Sequence, residues 1–153
     1  MYASKVFLEL MMKREQKSAI VFVSSIAGRM VLPGWASYSA TKCFVTNLGK
    51  CLYYEVKDKV DMMVWTPGLI KTDFAANFSG KEGIQEKFMK GGISVQRAVS
   101  AMLKDVGHTA CSDGAVEHAT TNCMVASMVC VSCYGKRMQR DHDKFLEEEQ
   151  PGK

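Results

Sequence analysis

The sequence predicts an α/β fold built on a parallel sheet with flanking helices. Three observations carry that prediction. AIVFVSS, residues 19–25, is a continuous apolar run of strand length, rich in Val and Ile, as in a strand buried on both faces of a parallel sheet. VDMMVW, residues 60–65, reads as a second strand, closed by the turn TPG. The stretches around them carry apolar residues at three- and four-residue spacing, so the order reads helix, strand, helix, strand, helix, strand. Right-handed crossovers turn that alternation into a parallel sheet.

Taken in order, Ala3, Phe7, Leu10 and Met11 share one helical face, so the chain opens inside an amphipathic helix that KREQKS terminates. After the first strand, AGRMVLPGW reads as a loop punctuated by Gly28, Pro33 and Gly34. From Ala36 to Val56 the spacing is helical again, with Val45, Leu48, Leu52 and Val56 as the apolar stripe. Residues 69–93 are polar and glycine-containing, with helical character in places. Ser94 caps a third helix bearing Val95, Val99, Met102 and Val106. SDGAVEHA, residues 112–119, reads as a turn with a short third strand.

With 153 residues the chain is long enough for one domain with a core. Twenty Lys and Arg against sixteen Asp and Glu leave +4, too little for a nucleic-acid partner. The six cysteines are scattered, which predicts a reduced intracellular compartment rather than a disulfide framework. No basic, apolar, small-residue leader pattern opens the sequence. Cys130 and Cys133 form a CxxC, with His118 and Cys123 upstream, but no second CxxC accompanies it. The reading is therefore small apolar side chains on a helix face, and no metal. Residues 119–135, ATTNCMVASMVCVSCYG, carry no charge and are followed by Lys136, Arg137 and Arg140. The stretch is short of a span and contains Thr, Asn and Ser, so it reads as a buried helix or an interfacial anchor before a spanning one.

YSATK, residues 38–42, is the stretch on which function turns. At i and i+4 on a helix, Tyr38 and Lys42 share a face. An ammonium beside a phenol favours the phenolate, which makes the phenol a useful general acid or base near neutral pH. Ala40 and Ser39 leave room for a ligand. Ser25 lies thirteen residues earlier, at the C-terminal end of a strand, where open α/β sheets bind ligands. Pro67-Gly68 closes the next strand with a tight turn whose backbone can approach a flat ligand, and Thr72 follows.

Ser25, then Tyr38-x-x-x-Lys42, then Pro67-Gly68 with Thr72, resembles the catalytic half of the short-chain dehydrogenase/reductase family. The resemblance implies the C-terminal half of a doubly wound, Rossmann-like sheet. It implies that Ser25 orients the substrate carbonyl or hydroxyl and that Tyr38 donates or accepts the proton. Lys42 supports the phenolate and bonds the nicotinamide ribose. Pro67, Gly68 and Thr72 contact the nicotinamide carboxamide, with a backbone contact from Ile70. The tail, SVQRAVSAMLKDVGHTACSDGAVEHA and the apolar stretch after it, is similar to 17β-hydroxysteroid dehydrogenases and very-long-chain 3-oxoacyl-CoA reductases. That resemblance implies NADP(H) before NAD(H), a lipid-like ketone or alcohol such as a 3-oxoacyl-CoA or steroid, and association with the endoplasmic reticulum membrane through 119–140. Otherwise the location expected is cytoplasmic. Family members pair through the helix at Tyr38 and the one before it, which implies a homodimer.

The glycine-rich turn, the Asn-Asn-Ala-Gly stretch and the helical asparagine of the family's first half are not found here; SGKEG and KGGIS fall in the wrong context. The expected organisation is a catalytic half-domain over 1–118, lacking the nucleotide-binding half, and an apolar helical segment with a charged tail over 119–153. The alternative to an oxidoreductase is a non-catalytic remnant acting as a binding or dimerisation module.

Overall fold

The computed structural model describes residues 2–74, 90–127, 139, 140 and 144. Helix α1 (Tyr2–Met12) leads into strand β1 (Ser18–Val23), a single turn of 3₁₀ helix (Ile26–Arg29) and the long helix α2 (Ala36–Val56). Strand β2 (Val60–Trp65), helix α3 (Val95–Asp105), strand β3 (Cys111–Ser112) and helix α4 (Val116–Ser127) follow. The three strands form one parallel sheet in the order β1-β2-β3. The register runs from Ser18 opposite Val60 to Val23 opposite Trp65, and Trp65 lies opposite Ser112. The alternation read from the sequence is thus the alternation observed.

β2 is the core. Val60, Met62, Met63 and Val64 are at most 1% exposed. α2 reaches the sheet through its smallest residues. Thr46 and Gly49 are its buried positions, and a β-carbon at Gly49 would stand 2.5 Å from Val64 Cγ2 and 3.0 Å from Phe22 Cδ2. The stripe expected to make that contact, Val45, Leu48, Leu52 and Val56, is half-buried and flanks it. Ser94 caps α3 as expected, its hydroxyl accepting from Arg97 N–H.

Four local expectations change. β1 is not buried on both faces: none of its six residues is fully buried, and Val23 is 53% exposed. The apolar stripe of α1 is largely outward, with Phe7 and Leu10 exposed, because α1 has little of the described chain to pack on. The AGRMVLPGW loop begins in the 3₁₀ turn, which Ser25 caps. The third strand ends at Ser112, and from Val116 the chain is helical, running across residues 118 and 119 without a break. Gly114 supplies the intervening turn at φ +75°, a conformation open to glycine. Among the described residues no helix is long and apolar enough to cross a membrane. Residues 128–138, and with them Cys130 and Cys133, lie outside the description.

Candidate active site

The site forms where β1 and β2 end. Pairing continues past both strands: Ser24 N–H donates to Trp65 O at 2.8 Å and Ile26 N–H to Pro67 O at 3.0 Å. The segment carrying Ser25 is therefore fixed beside the Pro67-Gly68 turn. Ser25 has an extended backbone and caps the 3₁₀ turn, its Oγ accepting from Ala27 N–H at 3.2 Å. A hydroxyl has one proton and two lone pairs, so this bond leaves the Ser25 proton to donate.

α2 begins at Ala36 without a side-chain cap, which puts Tyr38 in its first turn. The hydroxyl expected merely to leave room, Ser39, does more. Its one hydroxyl proton is shared between Ala27 O at 2.8 Å and Met30 O at 2.7 Å, hooking the helix start onto the serine loop. Lys42 lies one turn on, as the spacing predicts, with Nζ 5.7 Å from the Tyr38 ring centroid. Nζ also donates to Val23 O at 3.1 Å, so the ammonium is tethered to the end of β1. Trp35 meets the Tyr38 ring edge-on at 5.8 Å, and Phe74 lies tilted against it at 5.9 Å.

Beneath these groups sits a pair that the sequence reading missed. Ser24 and Thr46 are buried, their hydroxyls 2.6 Å apart, and both reach Lys42 O, at 2.7 and 3.0 Å. Ser24 was read only as the end of a strand; the signal for its role was a hydroxyl beside Ser25 where the sheet meets α2. Arg29 was also missed. Its guanidinium bonds Thr66 Oγ1 at 3.4 Å and Cys111 Sγ at 3.3 Å and lies 3.7 Å from the Asp113 carboxylate, which also accepts from Thr66. The serine loop is thereby joined to the ends of β2 and β3.

The remaining expected residues lie downstream on the same edge. Pro67 is buried and Gly68 half-buried. Gly68 does not have positive φ, so the turn does not depend on glycine's conformational freedom; its missing side chain matters for another contact, described below. Ile70 pairs with Ile93 in an isolated parallel bridge. Thr72 is exposed, and its Oγ1 accepts from the N–H of Phe74, the residue tilted against Tyr38. Phe78 and Phe88 lie outside the described residues. Among those described, no group of His, Cys, Asp or Glu is arranged to hold a metal ion.

The family model described as short chain dehydrogenase matches residues 1–83, which contain Ser25, Tyr38, Lys42, Pro67, Gly68 and Thr72. The chain belongs to the short chain dehydrogenase family. Short-chain dehydrogenase/reductase SDRA of Arabidopsis thaliana is 34% identical over 77 residues, covering 48% of this chain and 30% of its own length. A 3-oxoacyl-[acyl-carrier-protein] reductase of Synechocystis is 32% identical over 83 residues, covering 54% of this chain and 33% of the reductase. The chain thus spans about a third of the length of these relatives. Among solved structures, one from a study of 7β-hydroxysteroid dehydrogenase stereoselectivity superposes with a TM-score of 0.69 at 20% identity, over 90% of this chain and 52% of that one. It shares the fold, a Rossmann-like sheet of which this short chain dehydrogenase has part.

Proposed function

We propose that this short chain dehydrogenase carries the catalytic edge of an oxidoreductase that interconverts a ketone and an alcohol on a lipid-like substrate, with NADP(H) preferred to NAD(H). One observation carries the reading. Tyr38 and Lys42 share a helix face, the ammonium 5.7 Å from the ring, and Lys42 is tethered to the strand that leads to Ser25. A bound nicotinamide supplies the hydride. The residues present fit its reactive end: the Lys42 ammonium has N–H donors beyond its bond to Val23 O for a ribose hydroxyl, the backbone of Pro67, Gly68 and Ile70 lies at the same end of the sheet, and residue Thr72 is exposed. In the reducing direction Ser25 donates a hydrogen bond to the substrate oxygen, keeping its proton, and orients it. Tyr38 passes its phenolic proton to that oxygen, and Lys42 stabilises the phenolate left behind.

A lipid-like substrate, a 3-oxoacyl thioester or a steroid, is supported by the apolar wall beside Tyr38. Phe74 is 45% exposed and Leu69 is 40% exposed on the same stretch. The name of the Synechocystis relative points to the same chemistry. Such a substrate goes with work at a membrane surface, that of the endoplasmic reticulum, touched through residues 119–140, where Lys136, Arg137 and Arg140 follow the apolar stretch. A second reading, a non-catalytic module that pairs with another copy, is favoured by the exposed Val6, Phe7 and Leu10 of α1.

The test is NADPH-dependent reduction of a long-chain 3-oxoacyl thioester by the chain and by Tyr38→Phe. The variant keeps the ring and loses the proton donor. It should lower kcat by about 10²–10⁴-fold, the usual worth of general acid catalysis, and leave the NADPH Kd unchanged. Near-full activity in Tyr38→Phe rejects the assigned site. A parent chain that self-associates while showing no turnover and no NADPH binding favours the pairing module.

A further inference from the structure

One side chain presses on the Pro67-Gly68 turn from behind. His118, in the first turn of α4, is 3% exposed. Its ring lies on Gly68, where a β-carbon would stand 2.9 Å from Cδ2 and 3.5 Å from Cγ and Nε2. This contact, and not a special backbone angle, is what keeps position 68 a glycine. His118 Nε2 is 3.1 Å from Leu69 O. A carbonyl only accepts, so the imidazole proton sits on Nε2. The same carbonyl accepts Ile93 N–H at 3.1 Å, and Lys71 N–H returns to Ile93 O at 2.9 Å. The imidazole therefore braces the turn and the Ile70–Ile93 bridge together.

The other ring nitrogen sharpens the point. Nδ1 is buried and, among the described residues, has no hydrogen-bond partner. A buried nitrogen without a partner works against folding, and an apolar side chain of similar size would fill the space without that penalty. A histidine here is explained by the one thing such a side chain lacks, the Nε2–H donor to Leu69.

We propose that His118 is a positioning residue of the candidate site. Its Nε2–H fixes the Leu69 carbonyl and its ring fixes Gly68, and together they set the 67–70 turn that faces the nicotinamide carboxamide. The cofactor part of this proposal rests on the function proposed above; the bracing of the turn does not. His118 touches no reacting atom and acts through the backbone it holds.

Three substitutions in the 153-residue chain separate the donor from the bulk. His118→Leu keeps bulk and loses the donor. His118→Asn keeps a donor that falls short of Leu69 O, and His118→Gln keeps one at about the reach of Nε2. Amide hydrogen exchange at Lys71 and Ile93 should speed up on the order of tenfold in His118→Leu and His118→Asn, as loss of one hydrogen bond predicts. It should return toward the parent rate in His118→Gln, with Met62 and Val64 in β2 unchanged throughout. No acceleration at Ile93, or equal acceleration in β2, overturns the bracing role. By fluorescence titration, the NADPH Kd should rise about tenfold in His118→Leu and His118→Asn and recover in His118→Gln, following the same lost bond. An unchanged Kd in His118→Leu overturns the cofactor part. A parent chain that binds no NADPH removes the functional reading and that part with it, while exchange at Ile93 still decides whether His118 holds the turn.

Discussion

Gly28 rests its Cα on the backbone of Lys42. A β-carbon at Gly28 would stand 2.8 Å from the Lys42 carbonyl carbon and 2.9 Å from Cys43 N. Both obstacles are helix backbone, which cannot turn aside as a side chain can. Gly28→Ala should therefore push the serine loop off α2 and cost about 1–3 kcal/mol, the range for overpacking a close contact. Urea unfolding of the variant reads the cost. A change within error would show that the loop yields freely.

The Ser24–Thr46 pair predicts a coupling. Two hydroxyl protons serve three contacts here, one from each hydroxyl to Lys42 O and one between the hydroxyls, so the pair shares its hydrogen bonds. Ser24→Ala or Thr46→Val alone should cost about 1 kcal/mol, since the survivor keeps a partner. The double variant should miss additivity by about 0.5 kcal/mol or more, as residues in one network do. A double-mutant cycle by denaturant unfolding measures it, and strict additivity would contradict the network.

Phe74 forms part of the wall at Tyr38. Phe74→Ala should raise KM for a long 3-oxoacyl thioester while leaving a short one nearly unaffected. The expected difference is about 1–3 kcal/mol in kcat/KM, the scale for losing a large apolar contact. Equal effects on both chain lengths would take the substrate away from this ring.

Glu117 and Arg97 join α4 to α3, with Arg97 Nη2 2.7 Å and Nε 2.9 Å from Glu117 Oε1. The Glu117 carboxyl is held below its ordinary value, first by its own backbone N–H and then by the bond from Arg97. A carboxyl lowered in the folded state adds stability above its unfolded value and loses it as pH falls through the folded one. Carbon-detected NMR should find the Glu117 midpoint on the acid side of an ordinary glutamate, and Arg97→Gln should move it up.

The outward apolar residues of α1, with Phe44 and Tyr54 of α2 and the side of β1 that is unpaired among the described residues, should drive association. Light scattering at micromolar concentration should show more than a monomer. Phe7→Lys with Leu10→Lys should reduce it. A monomeric parent chain would count against pairing through these helices.

What was legible in the sequence follows from distance along the chain. Tyr38 and Lys42 are one helical turn apart, and helix geometry alone brings them together. Strands β1 and β2 announce themselves because apolar residues crowd together in each, unbroken over 19–23 and interrupted by Asp61 alone over 60–65. Burial on both faces was read for β1 and is nearer the truth for β2, because a pattern of residues does not say which strand lies in the middle. The α1 stripe was read as a packing face, and a periodicity gives a face without naming what covers it. Ser39, Gly28 and His118 were illegible as site residues for a related reason. Their partners are Ala27, Lys42 and Leu69, and these are backbone contacts that no residue type advertises.

The cross-ties at the end of the sheet make the chain mechanically lopsided. Beyond the C-terminal ends of its strands, backbone bonds run on from Ser24 to Trp65, Ile26 to Pro67 and Thr66 to Ser112, and Arg29 spans the same edge. At the opposite end, among the described residues, the side-chain tie between strands is Lys17 to Asp61, and Lys17 is 70% exposed. A surface ion pair of that kind holds with roughly 0–1 kcal/mol. Heat or force should thus open the sheet from the edge away from Tyr38. The groups that need fixed geometry would be among the last to lose it, so a partly frayed chain would still present an assembled site.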